Sequence, residues 1–136
     1  MEMEHNPVGW FEIPVVDLDR AVAFYEHVFQ ITMVEQPKGR YEMAWFPMKE
    51  KAYGACGTLI MGEGQTPSPN GVLVYFSVPD VEATLMRVEE RGARVLQRKT
   101  SIGEFGFIGV IVDTEGSLYV AQFASGQTTP LKLERV

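Results

Sequence analysis

The feature that most constrains this chain is an internal repeat, in which a strand, an acidic helix cap, an amphipathic helix and further strands occur twice. Asp17 and Asp80 hold the same place in the two halves, 63 residues apart, and each follows an apolar strand segment. Near the ends of the halves, segments 57–61 and 116–120 align at a spacing of 59, which fits variation in loop length. The sequence therefore predicts two modules with the same fold.

Each module reads as one helix and four strands. Apolar residues at helical spacing predict helices over 18–29 and 81–91, with Asp17 and Asp80 as N-caps and Gly92 as a left-handed stop. Apolar and β-branched segments between turn residues predict strands. These strands are 8–16, 32–35, 40–48, 55–61, 72–78, 94–97, 104–112 and 117–123.

The order of these elements predicts an α+β fold built from two paired βαβββ modules. Module one covers about 8–61, a linker rich in glycine and proline covers 62–71, module two covers about 72–124, and the tail 125–136 has no clear period. One helix covers only one face of each sheet, so the pairing of the two modules encloses a cavity between their other faces. We expect residues 1–136 to form one domain.

Charge and cysteine content exclude several classes of function. Eighteen acidic and twelve basic residues give a net charge of −6, with no basic run, which disfavours binding to nucleic acid or to an anionic membrane. Cys56 is the only cysteine, so neither an internal disulfide nor a cysteine-rich zinc site is possible. The start of the chain lacks an apolar signal segment, and we expect a soluble, cytoplasmic protein.

Three segments resemble a known family. Residues 10–25, which run from Trp10 through Asp17 to Tyr25, resemble the opening of the vicinal oxygen chelate superfamily, which includes glyoxalase I, extradiol dioxygenases and bleomycin-resistance proteins. Residues 78–82 and 113–117 resemble the opening of its second module and its final turn. The resemblance implies the paired βαβββ fold, a small-molecule ligand or substrate and a homodimer, but its motifs are structural and leave the activity open.

The resemblance also implies where a metal would bind. Metal-dependent members carry His or Glu ligands on the first and last strands of each module, and the matching positions here are Trp10, Met61, Leu73 and Val120. None of these side chains is a ligand for zinc, iron or manganese. The sequence therefore predicts neither the family metal site nor another cofactor. Neither of its two histidines, His5 and His27, lies at such a position.

Strand alternation predicts the lining of the cavity between the modules. Side chains two residues apart share one face of a strand, so Glu12 is expected on the same face of the first strand as Trp10. The predicted lining consists of Trp10, Glu12, Met61, Leu73, Tyr75, Val120 and Gln122. Burial in this apolar cavity would raise the pKa of the Glu12 carboxyl, which makes Glu12 a candidate acid or base. Alternatively, the lining residues fill the cavity with one another.

The sequence leaves several functions open, including whether the protein is an enzyme. The leading hypothesis is a metal-independent protein that holds a small organic molecule, and the aromatic and acidic residues suit a cationic or aromatic ligand. The alternatives are a metal-dependent lyase or dioxygenase with displaced ligands, and a metal-free enzyme that uses Glu12 as acid or base with Tyr75 as hydrogen-bond donor. An interaction module has no specific support.

Overall fold

Both halves of the chain form the same four-stranded sheet with one helix, which confirms the α+β fold predicted from the repeat. The computed structural model describes residues 6–123. The elements of module one are β1 (Trp10–Pro14), α1 (Leu18–Phe29), β2 (Val34–Glu35), β3 (Glu42–Trp45) and β4 (Cys56–Met61). The elements of module two are β5 (Val74–Ser77), α2 (Val81–Glu90), β6 (Arg94–Ser101), β7 (Phe107–Val112) and β8 (Leu118–Phe123). The predicted tail 125–136 and His5 lie outside the described residues.

The two sheets have the same strand order. The first sheet is ordered β1-β4-β3-β2 and the second β5-β8-β7-β6. In each, the first strand pairs in parallel with the last, whereas the remaining pairs are antiparallel. Parallel neighbours need a long crossover connection, and the helix of each module forms part of it. The helix therefore packs on one face of its sheet and leaves the other face without a helix.

Both helices begin at the predicted caps. The Asp17 carboxylate accepts a hydrogen bond from the Arg20 amide, and the Asp80 carboxylate accepts one from the Ala83 amide, each at 3.1 Å. Helix α1 has the predicted bounds, and α2 ends one residue earlier than predicted. Gly92 follows with a φ of +75°, a left-handed conformation that glycine adopts without steric cost and that ends the helix.

A single hydrophobic core crosses the boundary between the modules. The Tyr25 ring of α1 contacts Phe46 of its own module, and it also contacts Phe76 and Tyr119 of module two, with centroid distances of 6.0 and 6.1 Å. Phe24 is fully buried and meets the Tyr25 ring edge to face. Helix α1 packs against α2 as well as against its own sheet.

The turn between β7 and β8 fastens module two to the start of α1. The Glu115 carboxylate accepts hydrogen bonds from the Val16 and Asp17 amides at 2.9 Å and a bidentate pair from Arg20 at 2.8 and 3.0 Å. Burial by itself would raise the pKa of Glu115, but these hydrogen bonds, together with one from Thr114, outweigh it and lower the pKa to about 2. We call this set of contacts the Glu115 latch.

A second buried hydrogen bond lies beside the Glu115 latch. The Tyr25 hydroxyl donates to the Asp113 carboxylate at 2.7 Å, and the other oxygen of that carboxylate accepts from the Glu115 and Ser117 amides. Burial raises the pKa of Asp113, which these hydrogen bonds only partly offset, and burial also raises the pKa of Tyr25 well above its usual value. The hydroxyl therefore stays protonated and can donate. Residues 113–117, which resemble a family motif, thus join the two modules.

Candidate functional site

Five of the seven predicted lining residues lie on the helix-free face of the two sheets. Residues paired across neighbouring strands point to the same face. Glu12 is paired with Thr58, and Tyr75 with Val120. Their strand neighbours on the other face, Ile13 and Phe76, pack in or against the core that the helices cover. The five residues that pairing places on the helix-free face are Trp10, Glu12, Tyr75, Val120 and Gln122. Leu73 precedes β5 and is half-exposed.

Met61 does not share this face, and its predicted position is wrong. Met61 pairs with Glu42 and borders a depression that Leu18 and Arg20 of α1 also line, so it lies on the helix side of the first sheet. The pairing of Glu12 with Thr58 shows that Thr58 is the counterpart of Val120. The helix-free face of β4 thus carries Thr58 and its alternate neighbours rather than Met61.

The error arose because the sequence alignment matched two glycines that serve different purposes. Gly116 lies in the β7–β8 turn with a φ of +96°, which favours glycine. Gly57 lies inside β4, where an added Cβ would collide with the backbone oxygen and the ring of Phe11. The spacing of 59 therefore aligned a turn with a strand, whereas strand pairing relates Thr58 to Val120 at a spacing of 62.

Trp45 joins the helix-free face and forms an aromatic pair there with Trp10. Trp45 pairs with Thr58, which places Glu12, Thr58 and Trp45 in one row across β1, β4 and β3. The two indole rings meet edge to face with a centroid distance of 5.4 Å. The Nε1 group of Trp45 is buried and has no hydrogen-bond partner in the described part of the chain. Sequence alternation alone did not place Trp45 here, because its face depends on the pairing of β3 with β4.

Glu12 is exposed to solvent, contrary to the burial that the acid–base hypothesis assumed. Trp10, Leu73 and Tyr75 are also 39% to 49% exposed, whereas Val120 and Gln122 are buried, so the face is open to solvent along the first strand of each sheet. Next to Glu12, the single proton of the Thr58 hydroxyl is already committed, because the backbone oxygens of Leu59 and Ala44 both lie within hydrogen-bond distance of it. The site thus offers one accessible carboxylate among half-exposed aromatic rings.

The donor set on this face does not fit the metal site of the family. Between residues 6 and 123, no group of three or more His, Cys, Asp or Glu side chains is placed to hold a metal ion. His27 lies on α1 rather than on a strand of this face, and it pairs with Glu90 of α2 at 2.8 Å. The Cys56 thiol donates to the backbone oxygen of Pro47 at 3.2 Å. We therefore derive no chemical step through a metal.

A cleft of about 860 Å³ opens at one end of the boundary between the modules. Module one contributes the end of α1 and the loop 46–55, and module two contributes β5, the segment after it and Arg87 of α2. Of the predicted lining residues, Tyr75 and Gln122 border this cleft as well as the helix-free face. We call it the seam cleft. The seam cleft could not be predicted from the sequence, because its shape depends on how the loop 46–55 packs against module two.

Comparison with known proteins agrees with this architecture. The sequence model of the glyoxalase/bleomycin resistance protein/dioxygenase superfamily matches residues 8–120. The chain belongs to this superfamily. A glyoxylase-like domain-containing protein of Didymella fabae is 27% identical over 124 residues, which cover 85% of this chain and 91% of that protein.

Solved structures share the fold at low sequence identity. A variant of glyoxalase I from Zea mays superimposes with a TM-score of 0.69 at 19% identity, and the match covers 88% of this chain but 47% of that longer chain. TnmS3, an antibiotic binding protein from a Streptomyces species, superimposes with a TM-score of 0.63 at 22% identity, with 91% and 100% of the chains covered. Neither helix in the described residues is long and apolar enough to cross a membrane.

Proposed function

We propose that the protein binds a small organic molecule on the helix-free face between its two modules and that it does so without a metal. The observation that carries this proposal is the unpartnered Nε1 group of Trp45. A buried donor without an acceptor costs about 1–3 kcal/mol, and an acceptor atom of a ligand would recover that free energy. Trp10 meets the Trp45 ring edge to face and is itself 39% exposed, so the proposal includes a shift of the Trp10 side chain that lets the ligand reach Nε1.

The chemistry of the face favours a planar ligand that is aromatic, cationic or both. Trp10 and Tyr75 offer half-exposed ring faces, and aromatic faces attract cations as well as other rings. The carboxylate of Glu12 adds a negative charge beside them, in a chain whose net charge is −6. The ligand therefore stacks on the rings, accepts a hydrogen bond from Trp45 and places its positive charge toward Glu12.

Binding without catalysis is compatible with this fold, since TnmS3 is described as an antibiotic binding protein. The proposal extends to a homodimer, in which a second copy would help to cover the open face, and to a cytoplasmic location. Sedimentation of the purified protein tests the first of these points. A monomer at concentrations well above those in the cell would remove the homodimer from the proposal.

Calorimetric titration with proflavine, a planar cation, tests ligand binding directly. We expect saturable binding of proflavine and of uncharged acridine. Trp45→Phe keeps a ring but removes the N–H, and it should lower the affinity for acridine, whose unprotonated ring nitrogen can accept that hydrogen bond, about tenfold. Glu12→Gln should lower the affinity for proflavine more than the affinity for acridine, which is uncharged at neutral pH. The matched control is Glu63→Gln, an exposed carboxylate outside the strands of the face.

Two outcomes would overturn the proposal. The first is the absence of saturable heat with both proflavine and acridine. The second is equal affinity of the parent protein and Trp45→Phe for acridine in samples with the same circular dichroism spectrum, because the indole N–H would then play no part in binding.

A further inference from the structure

The seam cleft exists because the two modules close their shared boundary differently at its two ends. The loop 46–55 joins β3 to β4 and is the counterpart of the turn that joins β7 to β8. That turn spans five residues, 113–117, and it is fastened to the start of α1 by the Glu115 latch. The loop of module one spans ten residues and borders the cleft instead.

Module two cannot accept a latch of the same kind. The counterparts of Val16 and Asp17, whose amides donate to Glu115, are Pro79 and Asp80 at the start of α2. Proline has no backbone N–H, so one of the two donors is missing. The seam cleft therefore follows from the sequence of both modules: one has a longer loop, and the other lacks a donor.

A guanidinium replaces a core aromatic residue beside this cleft. Helices α1 and α2 begin 63 residues apart, so Arg87 holds the place in α2 that the fully buried Phe24 holds in α1. Its Nε group donates to the backbone oxygen of Val28 at 2.8 Å, which fixes the guanidinium at the wall of the cleft. In the described part of the chain, no carboxylate pairs with Arg87.

The remaining walls combine aromatic rings with further positive charge. Four phenylalanines line the cleft and contact one another through Phe76, with centroid distances from 4.6 to 6.1 Å. They are Phe11, Phe29, Phe46 and Phe76. Lys49 and Lys51 of the loop line it as well, against the single carboxylate of Glu50. This basic, aromatic lining contrasts with the acidic chain as a whole and with the Glu12 side of the helix-free face.

We propose that the seam cleft is a second binding site and that it takes an aromatic carboxylate. The ring system would lie against the phenylalanines, and the carboxylate would pair with the guanidinium of Arg87, with Lys49 and Lys51 adding long-range attraction. The Nε group of Arg87 is occupied by Val28, and one terminal NH₂ group lies 3.5 Å from the Thr84 hydroxyl, so the carboxylate would accept from the terminal NH₂ groups. These hydrogen bonds are charge-assisted, which makes Arg87 the group that selects the charge of the ligand. The seam cleft shares Tyr75 and Gln122 with the helix-free face, but this proposal does not depend on the ligand proposed for that face.

Titration with 2-naphthoate, followed by amide NMR shifts and calorimetry, tests this proposal. Shifts should concentrate in residues 46–56 and 76–79, and 2-naphthoate should bind at least about fivefold more tightly than the uncharged 2-naphthylmethanol. Arg87→Gln should weaken 2-naphthoate about tenfold and abolish its preference over the alcohol. The matched control is Arg91→Gln, an exposed arginine one helical turn further on that does not line the cleft.

Because Arg87 also supports Val28, a second variant separates binding from folding. Lys49→Gln combined with Lys51→Asn changes only exposed loop residues, and asparagine tolerates the positive φ of 63° at position 51. This variant should weaken 2-naphthoate by about twofold to fivefold and leave the alcohol unchanged. Equal affinity for both naphthalenes, or no saturable binding of 2-naphthoate, would overturn the proposal. So would an unchanged 2-naphthoate affinity in folded Arg87→Gln.

Discussion

Replacement of Glu115 by glutamine should destabilise the protein more than the loss of an ordinary ion pair. The Glu115 side chain is 0% exposed, and its two oxygens accept from two amides, a guanidinium and a hydroxyl. A glutamine side chain keeps one acceptor oxygen and turns an NH₂ group toward donors. The donors on that side are then left without an acceptor, which is costly in a buried position.

The pKa of Glu115 gives the size of the effect. Its fall from the ordinary 4.5 to about 2 corresponds to at most about 3 kcal/mol at neutral pH. Arg20 is 51% exposed, and solvent screening reduces this figure, so we expect Glu115→Gln to lower the free energy of unfolding by about 2 kcal/mol. The corresponding fall in the thermal midpoint is about 8 °C.

The pH dependence provides the decisive assay. A carboxyl whose pKa is lower in the folded state stabilises the fold above its unfolded pKa, and this stabilisation is lost as pH falls through the folded pKa. Urea unfolding at fixed protein concentration should therefore show the full difference between parent and variant above about pH 5.5. That difference should shrink steadily between about pH 4.5 and 2, because the parent carboxyl becomes protonated.

The matched control is Glu90→Gln, which also removes a carboxylate that pairs across the modules. Glu90 meets His27 at 2.8 Å but is 57% exposed, so its loss should cost less than about 0.5 kcal/mol. A loss of stability in Glu115→Gln no larger than that of Glu90→Gln at pH 7 would contradict the stabilising role of the Glu115 latch. A difference in free energy of unfolding between the parent protein and Glu115→Gln that stays constant down to pH 3 would contradict it equally.

Two further predictions concern close packing and metals. Gly57→Ala should lower the free energy of unfolding in urea by about 3 kcal/mol or more, because the added Cβ would lie 2.6 Å from ring atoms of Phe11 and collide with its backbone oxygen. The control is Gly39→Ala, which has open space around it and should change this free energy by less than about 0.5 kcal/mol. Equal effects of the two substitutions would contradict the strand packing. Zinc, manganese or ferrous iron at 100 times a micromolar dissociation constant would add about 2.7 kcal/mol if the family metal site were present. We expect no change in thermal midpoint and less than about a tenth of a metal ion per chain by elemental analysis, and a clear midpoint rise with one of these metals would contradict this.

Part of the candidate site was predictable because alternation is a local property of a strand. Trp10 and Glu12 lie two residues apart in β1, so they share a face whatever the strand pairs with. The same holds for Tyr75 and its alternate neighbours in β5. In contrast, the faces of Met61 in β4 and Trp45 in β3 depend on how β4 pairs with its neighbouring strands, and an error of one residue in register moves a side chain to the opposite face.

The repeated module, its two capped helices and the alternation of its first strands could be predicted from the amino-acid sequence, because spacing and capping are properties of short segments. Tertiary structure decided the rest. It set the faces of β3 and β4, the exposure of Glu12, the Glu115 latch and the opening of the seam cleft. Each of these depends on contacts between residues far apart in the chain. Strand pairing within module one sets the faces of β3 and β4, whereas the Glu115 latch and the seam cleft form only when both modules are packed together.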